Sequence, residues 1–458
     1  MKQLDDVSEQ ELLDECGFWR KFSGEDRRAA HSRVIRWYWV VRSLATALYL
    51  RFVYRGPPPQ PLPTEPCDVM LLYVTENQRR AFLPWIGTNP RIQTASCMAG
   101  ADWQLSWRRC GSLSLRYFAA IHRLLRPRSD HALTFPWFQE FLRYEVGKVL
   151  ARELFARAKP RVVVVSNDHS GFFRGIMREA RRYRHRLVYT QHASIGRHFP
   201  PLDFDLSMLD GTQAYLRYRE SGKPRGSIVI SGRLRTRGSA EPRPAAAALR
   251  VGLATNLDDA LLEWVPVFYR ARRHFSDVVL RCHPAETRRL GWAMLCRIFG
   301  VRMDGGTLEG FLQGCSVLIS GLSGIILDAA VHGVPALIKM SSLRHSDEMT
   351  DYYGYEKFGL CRRIRDARAL SELITTAAAT PVDFECVGAF EAGLVQEPAQ
   401  EKRRLLELYV RSLDEGRSFA AALRDQYVPI EHDGVTLFAT PAYAALNAKH
   451  GWLRGDDA

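Results

Sequence analysis

The chain has 458 residues, 46% hydrophobic and 25% charged, with a formal net charge of +14. This balance excludes a disordered chain, and the length exceeds one ordinary core, so two domains with appended structure are expected. The excess of Lys and Arg favours anionic partners such as lipid head groups, nucleotide-linked substrates, acidic glycans or nucleic acid.

Residues 34–54 form the first apolar stretch, but Arg36, Arg42 and Arg51 interrupt it, and its longest uncharged piece is 43–50. A spanning helix needs about 20 apolar residues. The aromatic rings and arginines suit instead a helix at a membrane surface, or one packed on the protein itself. Five prolines stiffen 56–63, so 1–63 reads as an N-terminal helical segment and linker.

From 64 to 237 the pattern alternates. Apolar runs at 69–74, 161–165, 187–190 and 227–230 predict strands covered on both faces, with a basic helix over 172–183. The stretch 102–131 is rich in Arg and aromatic residues and gives no topology. An Arg/Pro/Ala-rich break at 235–248 separates a second domain, 246–385, with strands expected at 251–254, 278–280, 317–320 and 336–339. Alternation of this kind predicts parallel sheets with helices on both faces, hence two Rossmann-like α/β domains facing a cleft. Residues 386–458 read as a C-terminal helical extension, with helices at 401–413 and 420–426.

The strongest motif runs from 317 to 339: a buried strand, the loop Ser320-Gly321-Leu322-Ser323-Gly324, a short helix, then Gly333 and Pro335. Gly333 suits a left-handed cap and Pro335 forbids continuing the helix. Small residues and hydroxyls at a helix N-terminus, at the carboxyl end of a parallel strand, suit an anion. A structural turn relieved by glycine is the even alternative. Upstream, Arg281-Cys282-His283-Pro284 follows the strand at 278–280, so His283 is expected at the sheet's carboxyl edge, where an imidazole can donate to a departing phosphate. Arg281 is a candidate to offset phosphate charge or a solvated arginine.

The His-Pro dipeptide followed by a Ser-rich strand–loop–helix resembles the donor domain of bacterial sialyl-, polysialyl- and capsule Kdo transferases and of teichoic-acid CDP-glycerol polymerases. That resemblance implies the two-domain GT-B fold and a donor site in which His283, Ser320 and Ser323 hold phosphate. Gly321 and Gly324 would shape the loop, Arg281 would assist, and Asp328 would stand where such enzymes carry a ribose-binding Glu. It implies a cytidine-nucleotide donor, a CMP-sugar or CDP-polyol, and a glycan or lipid-linked acceptor of surface polysaccharide. The anionic inner face of the plasma membrane is a further candidate partner, and no cofactor is implied.

In the first domain, Gln191-His192 ends the strand at 187–190, and the same polymerases carry a similar strand-then-His feature. His192 is the favoured base for an acceptor hydroxyl. Asp168, in Ser166-Asn167-Asp168-His169-Ser170, competes for that role with His169 in support. Asp203-Phe204-Asp205 spells the DxD of metal-dependent transferases but reads as a solvated edge strand or loop, so no metal is expected. Dispersed basic residues and the lack of a recognised module argue against nucleic acid. Nine scattered cysteines without a CxxC pair exclude a zinc ribbon or thiol redox motif and fit a reducing compartment. The start, Met1-Lys2-Gln3-Leu4-Asp5-Asp6, is no secretory signal, and a cytoplasmic location is expected. The alternatives are a UDP-sugar transferase, a UDP-sugar 2-epimerase, or a non-catalytic scaffold of polysaccharide assembly.

Overall fold

The computed structural model describes residues 66–89, 91–96, 136–196, 199–234, 249–256, 259–284, 286–340, 351–391 and 397–453, with residues 41, 44, 45, 48, 49 and 52. Most of the surface-helix expectation for 34–54, the linker at 56–63, the stretch 102–131 and the break at 235–248 lie outside these residues. The chain divides into two compact units, Met1–Leu234 with Leu394–Ala458, and Arg235–Gly393. Among the described residues no helix is long and apolar enough to cross a membrane.

The first unit opens with β1 (Val69–Tyr73), α1 (Glu76–Ala81), β2 (Ile92–Ser96), α2 (Pro136–Ala158) and β3 (Val162–Val165). It continues through α3 (Gly171–Arg182), β4 (Arg186–Thr190), β5 (Asp203–Leu209), α4 (Thr212–Ser221) and β6 (Arg225–Ile230). These strands are parallel in the order β2-β1-β3-β4-β5-β6. The all-valine β3 is buried at every position, as a strand covered on both faces must be. Helices α2 and α3 meet through two glycines. An ideal Cβ on Gly147 would lie 2.0 Å from the Phe172 carbonyl oxygen, and one on Gly175 would lie 2.0 Å from that of Tyr144. Neither position admits a side chain at this spacing.

The second unit contains β7 (Arg250–Ala254), α5 (Leu261–His274), β8 (Asp277–Arg281), α6 (Arg289–Phe299), β9 (Arg302–Met303) and α7 (Leu308–Gly314). Then come β10 (Val317–Ser320), α8 (Ile325–Val331), β11 (Ala336–Ile338), β12 (Cys361–Arg363), α9 (Leu370–Ala379) and α10 (Phe384–Glu391). Its parallel sheet has the order β9-β8-β7-β10-β11-β12. Val251, Leu253, Ile319 and Leu337 pack with Trp264 and Phe268 of α5, Trp292 of α6 and Ile374 of α9. Gly333 has φ of +69°, the left-handed stop expected from the sequence. Both units are thus doubly wound α/β structures.

The chain then returns to the first unit through α11 (Pro398–Asp414), α12 (Phe419–Arg424), β13 (Val428–His432), β14 (Val435–Ala439) and α13 (Pro441–His450). This corrects the expectation of a helical extension at 386–458. β14 pairs in parallel with β6, and β13 pairs antiparallel with β14, so the first sheet has eight strands. Asp433 and Gly434 both have positive φ, 48° and 68°, as a two-residue hairpin turn demands. Leu405, Leu406 and Tyr409 of α11 and Leu423 of α12 cover Val162, Val164, Val188 and Leu206 of the sheet. The apolar face of the extension is therefore consumed by a sheet it left more than 150 residues earlier.

Candidate active site

In a doubly wound sheet the ligand crevice lies at the carboxyl ends of two adjacent strands whose connections leave in opposite directions. In the second unit those strands are β7 and β10. The loop after β7 begins Thr255-Asn256 and the loop after β10 is Gly321-Leu322-Ser323-Gly324. They are tied together. The Asp259 carboxylate accepts the Asn256 N–H at 2.6 Å, and the Asn256 amide donates to the Leu322 carbonyl. Gly321 abuts the same Asp259 carboxylate.

Ser320 ends β10 fully buried, and its hydroxyl oxygen has no hydrogen-bond partner among the described residues. Leaving a buried hydroxyl unmet costs about 1–3 kcal/mol, which an added acceptor or donor would recover. Ser323 Oγ lies 3.5 Å from the Ile325 N–H at the start of α8. Asp328 is buried in the first turn of α8, and its backbone carbonyl accepts from His332 Nδ1 at 2.8 Å. The structure thus brings Ser320, Gly321, Ser323, Gly324 and Asp328 to one strand exit.

His283 stands at the exit of β8, on the other side of β7, with its N–H donated to Thr255 Oγ1 at 3.3 Å. Burial holds the imidazole below its ordinary range, against the pull of Glu286. Burial thus favours the uncharged ring, which can still donate a hydrogen bond. Its loop rests on a buried polar chain that the sequence did not reveal. Trp292 Nε1 donates to Glu286 at 3.0 Å, Arg288 grips Glu286 at 2.9 Å, and Arg288 Nη1 donates to the Asp259 carbonyl at 2.7 Å. Arg281 departs from expectation. Its guanidinium is held by Asp304 and by the Gly306 carbonyl at 2.8 Å, and it covers the Phe311 ring. Asp304 and Gly306 follow β9, on the far side of β8 from β7, so the Arg281 guanidinium is engaged by the fold itself.

In the first unit the exits of β3, β4, β5 and β6 carry the polar residues. Asp168 is 2% exposed. Its Oδ2 accepts the Tyr218 hydroxyl at 2.7 Å and its Oδ1 lies 3.1 Å from His169 Nδ1. Tyr189 Oη sits 3.0 Å from Tyr218 Oη. Both oxygens of Asp168, offered by the sequence as a base, are engaged. It suits the orientation of His169, whose Nδ1 proton it accepts. That fixes the tautomer with Nε2 as the basic nitrogen. His169 is partly exposed and its ring packs on Phe199 with centroids 4.5 Å apart.

His192, the favoured base from sequence, follows Gln191. Gln191 Oε1 accepts the Asp210 N–H and its amide donates to the Ala193 carbonyl, both at 2.9 Å. Burial, with the neighbouring His169, pushes the His192 imidazole down to about 4. A base that weak is poorly matched to neutral pH.

Two buried ions were not legible as such. Lys402 of α11 is fully buried, with Nζ 3.3 Å from Asp210 Oδ1 and 3.4 Å from Thr190 Oγ1. In sequence it belongs to a polar stretch, Glu401-Lys402-Arg403-Arg404, that reads as solvent-facing. Asp203 and Asp205 lie at the amino end of β5, away from these exits. Asp205 pairs with Arg186 at 2.9 Å and Asp203 with Arg181 at 2.7 Å. β5 is flanked on both sides, so the motif is ion-paired on an interior strand and not on an edge. Among the described residues no group of three or more His, Cys, Asp or Glu is placed to hold a metal. A cavity of about 270 Å³ lined by Lys223, Ser227, Arg424 and Thr436 sits at the amino edge of β6 and β14, away from the strand exits.

No protein-family model matches the chain, and no curated protein matches it. Among solved structures, the UDP-GlcNAc 2-epimerase of Methanocaldococcus jannaschii in complex with UDP-GlcNAc and UDP is similar. It has 13% identity and a TM-score of 0.48, over 74% of this chain and 99% of that one. The calicheamicin glycosyltransferase CalG4 is similar at 12% identity and a TM-score of 0.45, over 76% and 98%. The glycotransferase of kitacinnamycin is similar at 13% identity and a TM-score of 0.44, over 79% and 98%.

Proposed function

We propose that the chain is a glycosyltransferase that takes a nucleotide-activated donor at the β7–β10 crevice of its second unit. The observation that carries this reading is the buried hydroxyl of Ser320, without a hydrogen-bond partner among the described residues, in a loop locked by Asp259 and one strand away from the exit that carries His283. Such a place fits the phosphates of a nucleotide, with Ser320 and Ser323 offered to oxygens at the β10 exit and the imidazole to an oxygen at the β8 exit. The His-Pro dipeptide and the serine loop favour a CMP-sugar or CDP-polyol donor, and a glycan or lipid-linked acceptor of surface polysaccharide.

In this reading the acceptor oxygen attacks the anomeric carbon, or the distal phosphorus of a CDP-polyol. Its proton passes to a general base, and the bond to the nucleotide phosphate breaks. His169, oriented by Asp168, is the candidate for that base. His283 and the two serines stabilise the departing phosphate, because donors fixed in advance need no reorganisation as charge develops.

Thermal shift against CMP, CDP, UDP and GDP tests the donor, since a ligand at 100 times its Kd stabilises the native state by about 2.7 kcal/mol. CMP or CDP should raise Tm most. A response to UDP alone overturns the cytidine assignment, and no response to any of the four overturns the donor site. His283→Ala should lower turnover about 10²–10³-fold at unchanged Tm of the free protein. Conversion of a UDP-sugar to its 2-epimer without acceptor would replace transfer by epimerisation.

A further inference from the structure

We propose that the outer face of α6 is a docking surface for an anionic lipid bilayer. The inner face of this helix is already satisfied: Trp292 and Cys296 are buried against Trp264 and Phe268 of α5. On the outer face Leu290, Met294 and Ile298 recur at four-residue spacing and are 84%, 65% and 67% exposed. A row of large apolar side chains held in water contributes nothing to the core and marks an interaction surface.

The charge pattern selects the occupant. α6 has no acidic residue, and Arg289 and Arg297 are its other exposed positions. At 100° per residue Arg297 falls about 20° from Leu290, beside the apolar row, and Arg289, in the first turn, falls about 100° from Leu290. Leu261 of the neighbouring α5 packs against Gly291, and the next residue, Leu262, is exposed as well. At the other end, Arg272 of α5 reaches the Gly300 carbonyl just past α6, with Arg273 and His274 exposed beside it.

Apolar side chains flanked by arginines fit the boundary between acidic head groups and acyl chains. A second copy fits poorly, because a two-fold contact would set the same arginines against each other on a chain of net charge +14. The N-terminal segment repeats the chemistry independently. Val41, Leu44, Leu48, Tyr49 and Phe52 are exposed there, in a stretch that also holds Arg42 and Arg51. The proposal does not rest on the transferase reading.

The test is co-sedimentation of the full chain with phosphatidylcholine vesicles, and with vesicles in which phosphatidylglycerol replaces part of the phosphatidylcholine. The protein should sediment with the second and not the first. The triple substitution Leu290→Asp, Met294→Asp, Ile298→Asp should lower partitioning at least about tenfold. Circular dichroism and Tm should be unchanged, because all three side chains stand in solvent. Arg289→Glu with Arg297→Glu should remove most of the dependence on phosphatidylglycerol. Three results overturn the proposal. They are wild-type protein that stays in the supernatant with anionic vesicles, a triple variant that sediments like wild type, and a wild-type dimer that the triple substitution turns into a monomer.

Discussion

The carboxylate of Asp259 fills the space where a side chain at Gly321 would begin: an ideal Cβ there would lie 2.3 Å from Oδ1 and 2.7 Å from Oδ2. Asp259 is fixed in turn by the Asn256 N–H and, through its own carbonyl, by Arg288. Arg288 also holds Glu286 on the His283 loop. The loops after β7, β8 and β10 are thus one polar assembly, and its geometry depends on glycine at a single position.

Gly321→Ala should therefore damage the donor site more than the fold. Overpacking of this kind costs about 1–3 kcal/mol of stability. The affinity for CMP or CDP should fall by at least about tenfold, because the carboxylate and the β7 loop must move. Titration calorimetry measures it. Adding Asp259→Ala to the same chain makes room and should recover part of the loss; no recovery would show that Asp259 is not the obstruction.

His169→Gln should lower kcat by about 10²–10⁴-fold while leaving the donor Kd unchanged. Asp168→Asn should also lower kcat, since an amide no longer demands the Nδ1 tautomer, and Tyr218 keeps an acceptor there. Steady-state kinetics on His169→Gln and His192→Gln separate the candidates. Loss in the second variant alone returns the role of base to His192.

The depressed imidazole of His192 makes stability depend on pH. Its folded-state pKa, about 4, lies below the value of about 6.5 in the unfolded chain. Between these limits the unfolded state binds the extra proton, so stability is full above about pH 6.5 and is lost as pH falls towards 4. The loss is on the order of 2 kcal/mol, allowing for the partial exposure of the ring. Urea unfolding of wild type and His192→Gln across that window measures it, and the variant should show a shallower decline.

Lys402 and Asp210 form a buried pair 3.3 Å apart. Lys402→Met alone removes the buried ammonium partner of Asp210 and should cost about 3–5 kcal/mol. Lys402→Met with Asp210→Leu removes both charges and should recover most of it, because an apolar pair pays no desolvation. Equal losses in the single and double variants would mean that the pair does more than satisfy itself.

Most strands of both sheets were legible because their code is local; β2 and β5 were not, because Gln93, Thr94, Asp203 and Asp205 interrupt their apolar runs. Runs such as Val69–Tyr73, Val162–Val165 and 317–319 are apolar at consecutive positions, as suits a short strand covered on both faces. The stop at Gly333 and the placement of His283 and Ser320 at strand exits followed from the same local rules. β9 and β12, at two and three residues, were too short to carry a pattern. The Asp433-Gly434 turn was a visible hairpin signal that the helical reading of the extension passed over.

What each polar residue does was decided in three dimensions. Asp168 and Tyr218 are 50 residues apart in sequence, and Lys402 and Asp210 are 192 apart, so no spacing rule could pair them. Arg281 carries the same charge whether it meets a phosphate or Asp304; which one it meets depends on which neighbour of β8 it faces. Local patterning sets the type of an element because backbone conformation and apolar burial act over a few residues. Partners across the fold are set by which surfaces the sheets leave uncovered, and that is known only once the chain has closed on itself.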